Sequence, residues 1–174
     1  MDKRTKKRLF CSGFLSLCLI CCGYHLRGTG SFLPSHINKI YVPMFKNNTT
    51  RYQLDLKLTQ SVIDEVVARG NVESIGDIQS ADAVLTGEIV AFQATPIGYS
   101  GEATADRYKI TIITKITLRD MVNNRIIFSN PYFPYQTEYE VPEGTDFESV
   151  EMEAIDNIAV KYARSLIITI LEGF

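Results

Sequence analysis

The stretch Arg107-Tyr108-Lys109-Ile110-Thr111-Ile112-Ile113-Thr114-Lys115-Ile116-Thr117-Leu118-Arg119-Asp120 limits the fold more than any other part of the chain. Successive side chains of a strand point to opposite faces. Tyr108, Ile110, Ile112, Ile116 and Leu118 therefore share one face, and Arg107, Lys109, Thr111, Lys115, Thr117 and Arg119 share the other. Such a strand must bury one side and leave the other in water, which calls for an antiparallel sheet covered on one face only.

The neighbouring segments fit that sheet. Ile37–Phe45, with Ile40, Val42 and Met44 alternating, reads as a strand ending near Pro43, followed by a turn at Lys46-Asn47-Asn48-Thr49-Thr50. A short strand is expected over 72–76 and a longer one over 81–95, stopped by Pro96. Residues 96–106, with Gly98 and Gly101, read as a flexible hairpin tip. Asn123-Asn124 supplies a tight turn into a strand over 125–130. Pro131, Pro134 and Pro142 break the next segment, leaving 135–141 able to pair as an edge strand.

Two helical segments flank these strands. Leu54, Leu58, Val62 and Val66 recur at helical spacing, and Thr50 with Gln53 has the spacing of a capping box, so a helix is expected over 51–69 with Gly70 at its C-terminal stop. Thr145 with Glu148 repeats that spacing ahead of Val150, Ile155, Ile158, Ala159, Tyr162, Leu166, Ile167, Ile170 and Leu171, an amphipathic helix of about 40 Å at 1.5 Å per residue. The expected fold class is α+β: two amphipathic helices on one face of a single, mostly antiparallel sheet of about four strands, the other face polar.

The N-terminus has a different character. Lys3, Arg4, Lys6, Lys7 and Arg8 precede an uncharged run from Leu9 to Gly23, too short for the roughly 20 apolar residues that span a bilayer. This is the build of a secretory signal peptide. Its end, Leu19-Ile20-Cys21-Cys22, resembles a bacterial lipobox, although Cys21 stands where Gly, Ala or Ser is usual. The resemblance implies cleavage after Cys21 and acylation, palmitate included, of Cys22. By the same resemblance, Gly23 in the next position implies the outer membrane. A plain signal peptide or an N-terminal core helix is the competing reading. The expected organisation is a removed leader over 1–21, a lipidated N-terminus and linker over 22–36, and a single domain over 37–174. Cys11, Cys18 and Cys21 would leave with the leader and Cys22 would become a thioether, so the mature chain would hold neither a free thiol nor a disulfide.

Charge excludes one class of partner. The leader takes five basic and one acidic residue from the chain's 18 and 20, leaving 13 and 19 and a net charge of −6. A nucleic-acid binder normally carries a basic excess. Catalytic groupings are also thin. His25 and His36 both fall in the linker, where no core would hold them, and no Cys/His cluster has metal-ligand spacing. Gly98-Tyr99-Ser100-Gly101 falls short of a nucleophile elbow, which needs its second glycine one place later. The acidic cluster Glu138, Glu140 and Glu143 reads as a solvated edge, and Tyr132, Tyr135 and Tyr139 as packing or interface residues. The chain reads as a non-enzyme without metal or cofactor.

The chemical feature that remains is the basic face Arg107, Lys109, Lys115 and Arg119. It is either an ordinary solvated strand face paired with Glu88, Glu138 or Glu140, or a cationic surface for a phosphorylated amphiphile, with Ile113 meeting acyl chains.

Three stretches together resemble the lipopolysaccharide-assembly lipoprotein family LptE: Cys-Gly-Tyr-His-Leu-Arg-Gly at 22–28, Ile-Tyr-Val-Pro-Met-Phe-Lys-Asn-Asn-Thr at 40–49, and Ala-Asp-Ala-Val-Leu-Thr-Gly-Glu-Ile at 81–89 before the alternating strands and last helix. The resemblance implies a lipoprotein at the inner leaflet of the outer membrane that plugs a large LptD-like β-barrel translocon and binds lipopolysaccharide. The alternative is an accessory of another envelope machine, a peptidoglycan-synthase activator or a secretion-pore component; an envelope hydrolase ranks last.

Overall fold

A computed structural model describes residues 33–70, 72–99, 105–142, 145 and 147–172. The leader, Cys22, the linker up to residue 32, the tip residues 100–104 and Glu143 lie outside the described residues.

The elements run β1 (Lys39–Tyr41), β2 (Lys46–Asn47), α1 (Leu54–Gly70), β3 (Glu73–Ile75), a 3-10 turn (Ile78–Ser80), β4 (Ala83–Tyr99), β5 (Ala105–Asp120), β6 (Arg125–Glu140) and α2 (Phe147–Glu172). The alternation in 107–120 is realised: Ile110, Ile112, Ile116 and Leu118 are buried, and Arg107, Lys109, Lys115 and Arg119 are exposed. Buried Leu54, Leu58, Val62 and Val66 of α1 meet Ile155, Ile158, Ala159, Tyr162, Leu166, Ile167 and Ile170 of α2 in one core above the sheet. Lys57 pairs with Asp156 at 2.6 Å across the two helices.

The sheet departs from the expected four antiparallel strands. Among the described residues it has six, in the order β3-β1-β4-β5-β6, with β2 also on β4. β4, β5 and β6 are antiparallel, whereas β1 pairs in parallel with both β3 and β4, and β2 pairs in parallel with β4. The reason lies in the connections. A tight turn returns a strand antiparallel, but a chain that crosses over through a helix re-enters parallel. Here α1 separates β1 and β2 from β3 and β4.

Neither Pro96 nor the pair Pro131 and Pro134 ends a strand. β4 pairs through Pro96 with Tyr108, and β6 is one strand of 16 residues. Proline is tolerated where the missing N–H would face no partner. Among the described residues, β4 has no second neighbour beyond Ile89, and β6 is an edge of the sheet. Pro131 also falls in an irregularity, since Ile116 pairs with Asn130 and Thr114 with Phe133. Both strands bordering the expected flexible tip are correspondingly longer, reaching Tyr99 and Ala105.

Both expected capping boxes are absent. Asn47 Oδ1 accepts from Thr49 N (2.9 Å) and Thr49 Oγ1 (2.7 Å), and Asn47 Nδ2 donates to Arg51 O (2.8 Å), so side chains hold 47–51 out of the helix. α1 starts after Gln53, whose φ is 58° and whose carbonyl accepts from Lys57 N. Thr145 Oγ1 donates back to Pro142 O at 2.6 Å instead of capping α2. A Cβ at Gly87 would lie 2.5 Å from the Phe45 ring, so glycine there lets the β1–β2 segment close over β4.

Candidate functional site: a basic outer sheet face

The uncovered face of β5 brings the four expected cations into one row, but not into one chemical state. In the β4–β5–β6 register Arg107 lies beside Glu140, Lys109 between Thr95 and Glu138, Lys115 beside Glu88, and Arg119 between Val84 and Ile126. Arg107 Nη1 is 3.8 Å from Glu138 Oε2, and Arg119 Nη1 donates to Asn124 Oδ1 at 2.9 Å. Among the described residues, Lys109 and Lys115 make no ion pair.

Glu88 explains why Lys115 is left over. Its Oε1 accepts from Asn48 Nδ2 and lies 3.5 Å from Lys46 Nζ, a residue the sequence reading assigned to a turn. The Asn48 hydrogen bond first, and Lys46 after it, hold the Glu88 carboxyl below the usual carboxylate range, with a smaller contribution from Lys115. Lys46 of β2 thus takes the carboxylate of β4 that stands opposite Lys115 in the β4–β5 register. Between the two cation pairs sits an apolar break, Ile113, flanked by Ala91 and Pro134. Lys109 and Lys115 are six residues apart, about 20 Å at 3.3 Å per residue. The face therefore offers two separate anion-attracting positions on either side of an apolar strip.

On the inner face Tyr135, with Phe133, packs edge-on against Tyr162, at centroid distances of 5.8 and 6.0 Å. That bears out packing for Tyr135. Tyr132 is exposed.

His36 is the residue that the sequence reading misjudged most. It is held, not free: its Nε2 lies 2.9 Å from Asp120 Oδ2 and 3.1 Å from Asn123 Nδ2. Asp120, fully buried, also accepts from Val122 N, Asn123 N and Asn123 Nδ2, and lies 3.4 Å from Arg125 Nε. Burial pushes this carboxyl up, but the Asn123 amide and side chain and His36 together outweigh it, holding the group below the usual range. Asp followed by Asn three residues later is an Asx-turn pattern legible in sequence, and the positive φ of Asn124 (49°) agrees with the expected tight turn. Nothing in the sequence pairs His36 with that turn.

The depressed carboxyl makes an acid-stability prediction. A group with a lowered folded-state pKa contributes stability that is complete above its unfolded value, about 3.9, and disappears as pH falls below it. Asp120→Asn should have a lower urea midpoint than the parent at pH 7. The difference should shrink by pH 3, because the parent loses this contribution and the variant has none to lose. Equal midpoints at pH 7 would mean that the Asp120 contacts are energetically idle.

The geometry can be set beside known proteins. The family model described as LptE, lipopolysaccharide-assembly, matches residues 37–170. The chain belongs to the LptE family. Fold neighbours agree with the architecture. Protein XCC0632 from Xanthomonas campestris is 14% identical, with a TM-score of 0.53 covering 78% of this chain and 85% of that one. The PelC dodecamer from Paraburkholderia phytofirmans is 13% identical, TM-score 0.50, covering 82% and 92%. The hypothetical protein CT253 from Chlamydia trachomatis is 9% identical, TM-score 0.51, covering 79% and 97%. At these identities the likeness is one of fold alone. No curated protein matches the sequence. LptE membership places the chain in lipopolysaccharide assembly and makes a component of lipopolysaccharide transport the general kind of partner. Among the described residues, no helix is long and apolar enough to cross a membrane.

Proposed function

We propose that the chain is an outer-membrane lipoprotein, cut after Cys21 and acylated on Cys22, whose domain joins and plugs a large LptD-like β-barrel translocon and binds lipopolysaccharide in transit. The leader would be 1–21 and the tethered linker 22–36. Its work is fitting and binding, not bond-making. Arg107, Lys109, Lys115 and Arg119 form the ligand face, with the heaviest duty on the two lysines.

The observation that carries this reading is the family match over 37–170 together with two exposed lysines that have no carboxylate of their own. Lipid A phosphates suit charge-assisted contacts from Lys and Arg. The strip at Ile113 offers acyl chains an apolar contact between them. A body with net charge −6 after processing repels anions at a distance, so capture depends on this local patch or on the field of the partner barrel.

Two measurements test the halves of this reading separately. Purification from detergent-solubilised outer membrane should recover a large β-barrel; recovery of a peptidoglycan synthase or a secretion pore in its place would overturn the plug role. Reversing Lys109, Lys115 and Arg119 to Glu should weaken lipopolysaccharide binding roughly tenfold or more, because exposed charge contacts contribute up to about 1 kcal/mol each and reversal adds repulsion. Unchanged binding would remove the face from the ligand site.

A further inference from the structure

We infer that the β5–β6 turn is a lipid-contacting tip, on which the acylated chain rests against the leaflet that holds its anchor before it joins a barrel. The inference rests on the reading of Cys22 as acylated.

Three large apolar side chains are exposed at this end: Met121 (41%), Val122 (61%) and, at the start of β6, Ile126 (54%). The turn itself is tied down by hydrogen bonds. Asp120 accepts from two of its backbone amides, and Met121 N donates to Asp82 O at 2.8 Å. A pinned turn that holds apolar side chains in water has not lost them to poor folding. Arg119 and Arg125 flank it, both exposed, as phosphate partners for side chains set at headgroup depth. The carboxylates at this end include Asp120, buried, Asp82, which accepts from Asn38 N and Lys39 N, Asp77, which caps the 3-10 turn, and Glu73, opposite the Lys39 cation in the β1–β3 register. The charges nearly balance, so the apolar side chains supply the attraction.

Chain length selects the occupant. The described chain enters the fold at this end: buried Leu33 lies among Ile40, Leu85, Leu118 and Ile167, and His36 is bound to Asp120. Eleven Cα-to-Cα steps separate Cys22 from Leu33. Fully extended, they cover at most about 40 Å at 3.6 Å per residue. Leu33 lies beside Leu118, 13 residues along β5 from Ala105, or about 43 Å at 3.3 Å per residue. Standing on the Tyr99–Ala105 end would lift Leu33 farther from the lipid than the tether reaches. Standing on the turn needs almost none of it.

The test uses the processed, acylated chain in phosphatidylethanolamine–phosphatidylglycerol vesicles, where a single introduced cysteine is the labelling site. An environment-sensitive fluorophore at Val122→Cys, and separately at Ile126→Cys, should shift to the blue. Quencher-bearing lipid should quench both severalfold more than the same label at Ile97→Cys near the far end or Thr111→Cys on the outer sheet face. If the protein floats with the vesicles but 122 and 126 are quenched no more than 97, the tip proposal fails and the anchor stands. If 111 is quenched most, the body lies on its sheet and the proposal fails. If the parent chain does not float, the anchor reading falls and the tip with it.

Discussion

Tyr162→Ala should cost about 3–5 kcal/mol, the range for emptying an aromatic site in a core. Tyr162 is fully buried at the crossing of α2 with the sheet, edge-on to both Phe133 and Tyr135. Its hydroxyl lies 2.8 Å from Thr114 Oγ1, itself buried, so the change opens a cavity and strands a polar group together. Burial raises the phenol's pKa well above its ordinary value, so it stays neutral and the bond stays hydroxyl-to-hydroxyl at any pH at which the protein is handled. A domain of this size has about 5–15 kcal/mol of total stability, so the variant should lose a large part of it. Urea unfolding should show the loss as a lower midpoint with an unchanged slope. Tyr162→Phe separates the two contributions: it keeps the ring and strands only Thr114, at about 1–3 kcal/mol. A loss under about 1 kcal/mol for the alanine variant, well below that core range, would mean that α2 is not seated on the sheet through this residue.

Cys22→Ser should abolish membrane retention, on the proposed reading of Cys22. Serine cannot form the thioether, so the diacylglycerol is never attached and the acyl chains are lost with it. Each buried methylene contributes about 0.8 kcal/mol; one chain binds marginally and two or more hold durably. The loss should therefore be near total, not graded: the variant leaves the membrane pellet for the soluble fraction, and its mass lacks the lipid. On the proposed reading of 22–36 as a linker, the variant chain should unfold at the same urea concentration as non-acylated parent protein. If Cys22→Ser stays in the membrane pellet, the lipobox reading is wrong.

Much of the architecture was legible in the chain because periodicity reports burial directly. The alternation in 107–120 named the buried and exposed faces of β5 residue by residue, and Leu54, Leu58, Val62 and Val66 named the buried stripe of α1. Strand ends were less legible. Pro96, Pro131 and Pro134 look like breaks in sequence, yet whether a missing N–H matters depends on which side of the strand is paired, and that is a property of the sheet. The capping boxes at Thr50 and Thr145 failed for a related reason. Spacing permits a cap, but Asn47 ties Thr49 and Arg51 into a turn ahead of the helix, and Pro142 takes the Thr145 hydroxyl.

Side-chain order along single segments was enough to set the α+β class, the two-faced central strand and the cationic row. Which of those cations are spoken for, and what holds His36, depended on how distant segments meet in the fold. Glu88 is taken by Asn48, 40 positions away, together with Lys46, and His36 meets Asp120 across 84 positions. Electrostatic pairing depends on distance in space, and no local pattern encodes a contact between segments joined only by the fold.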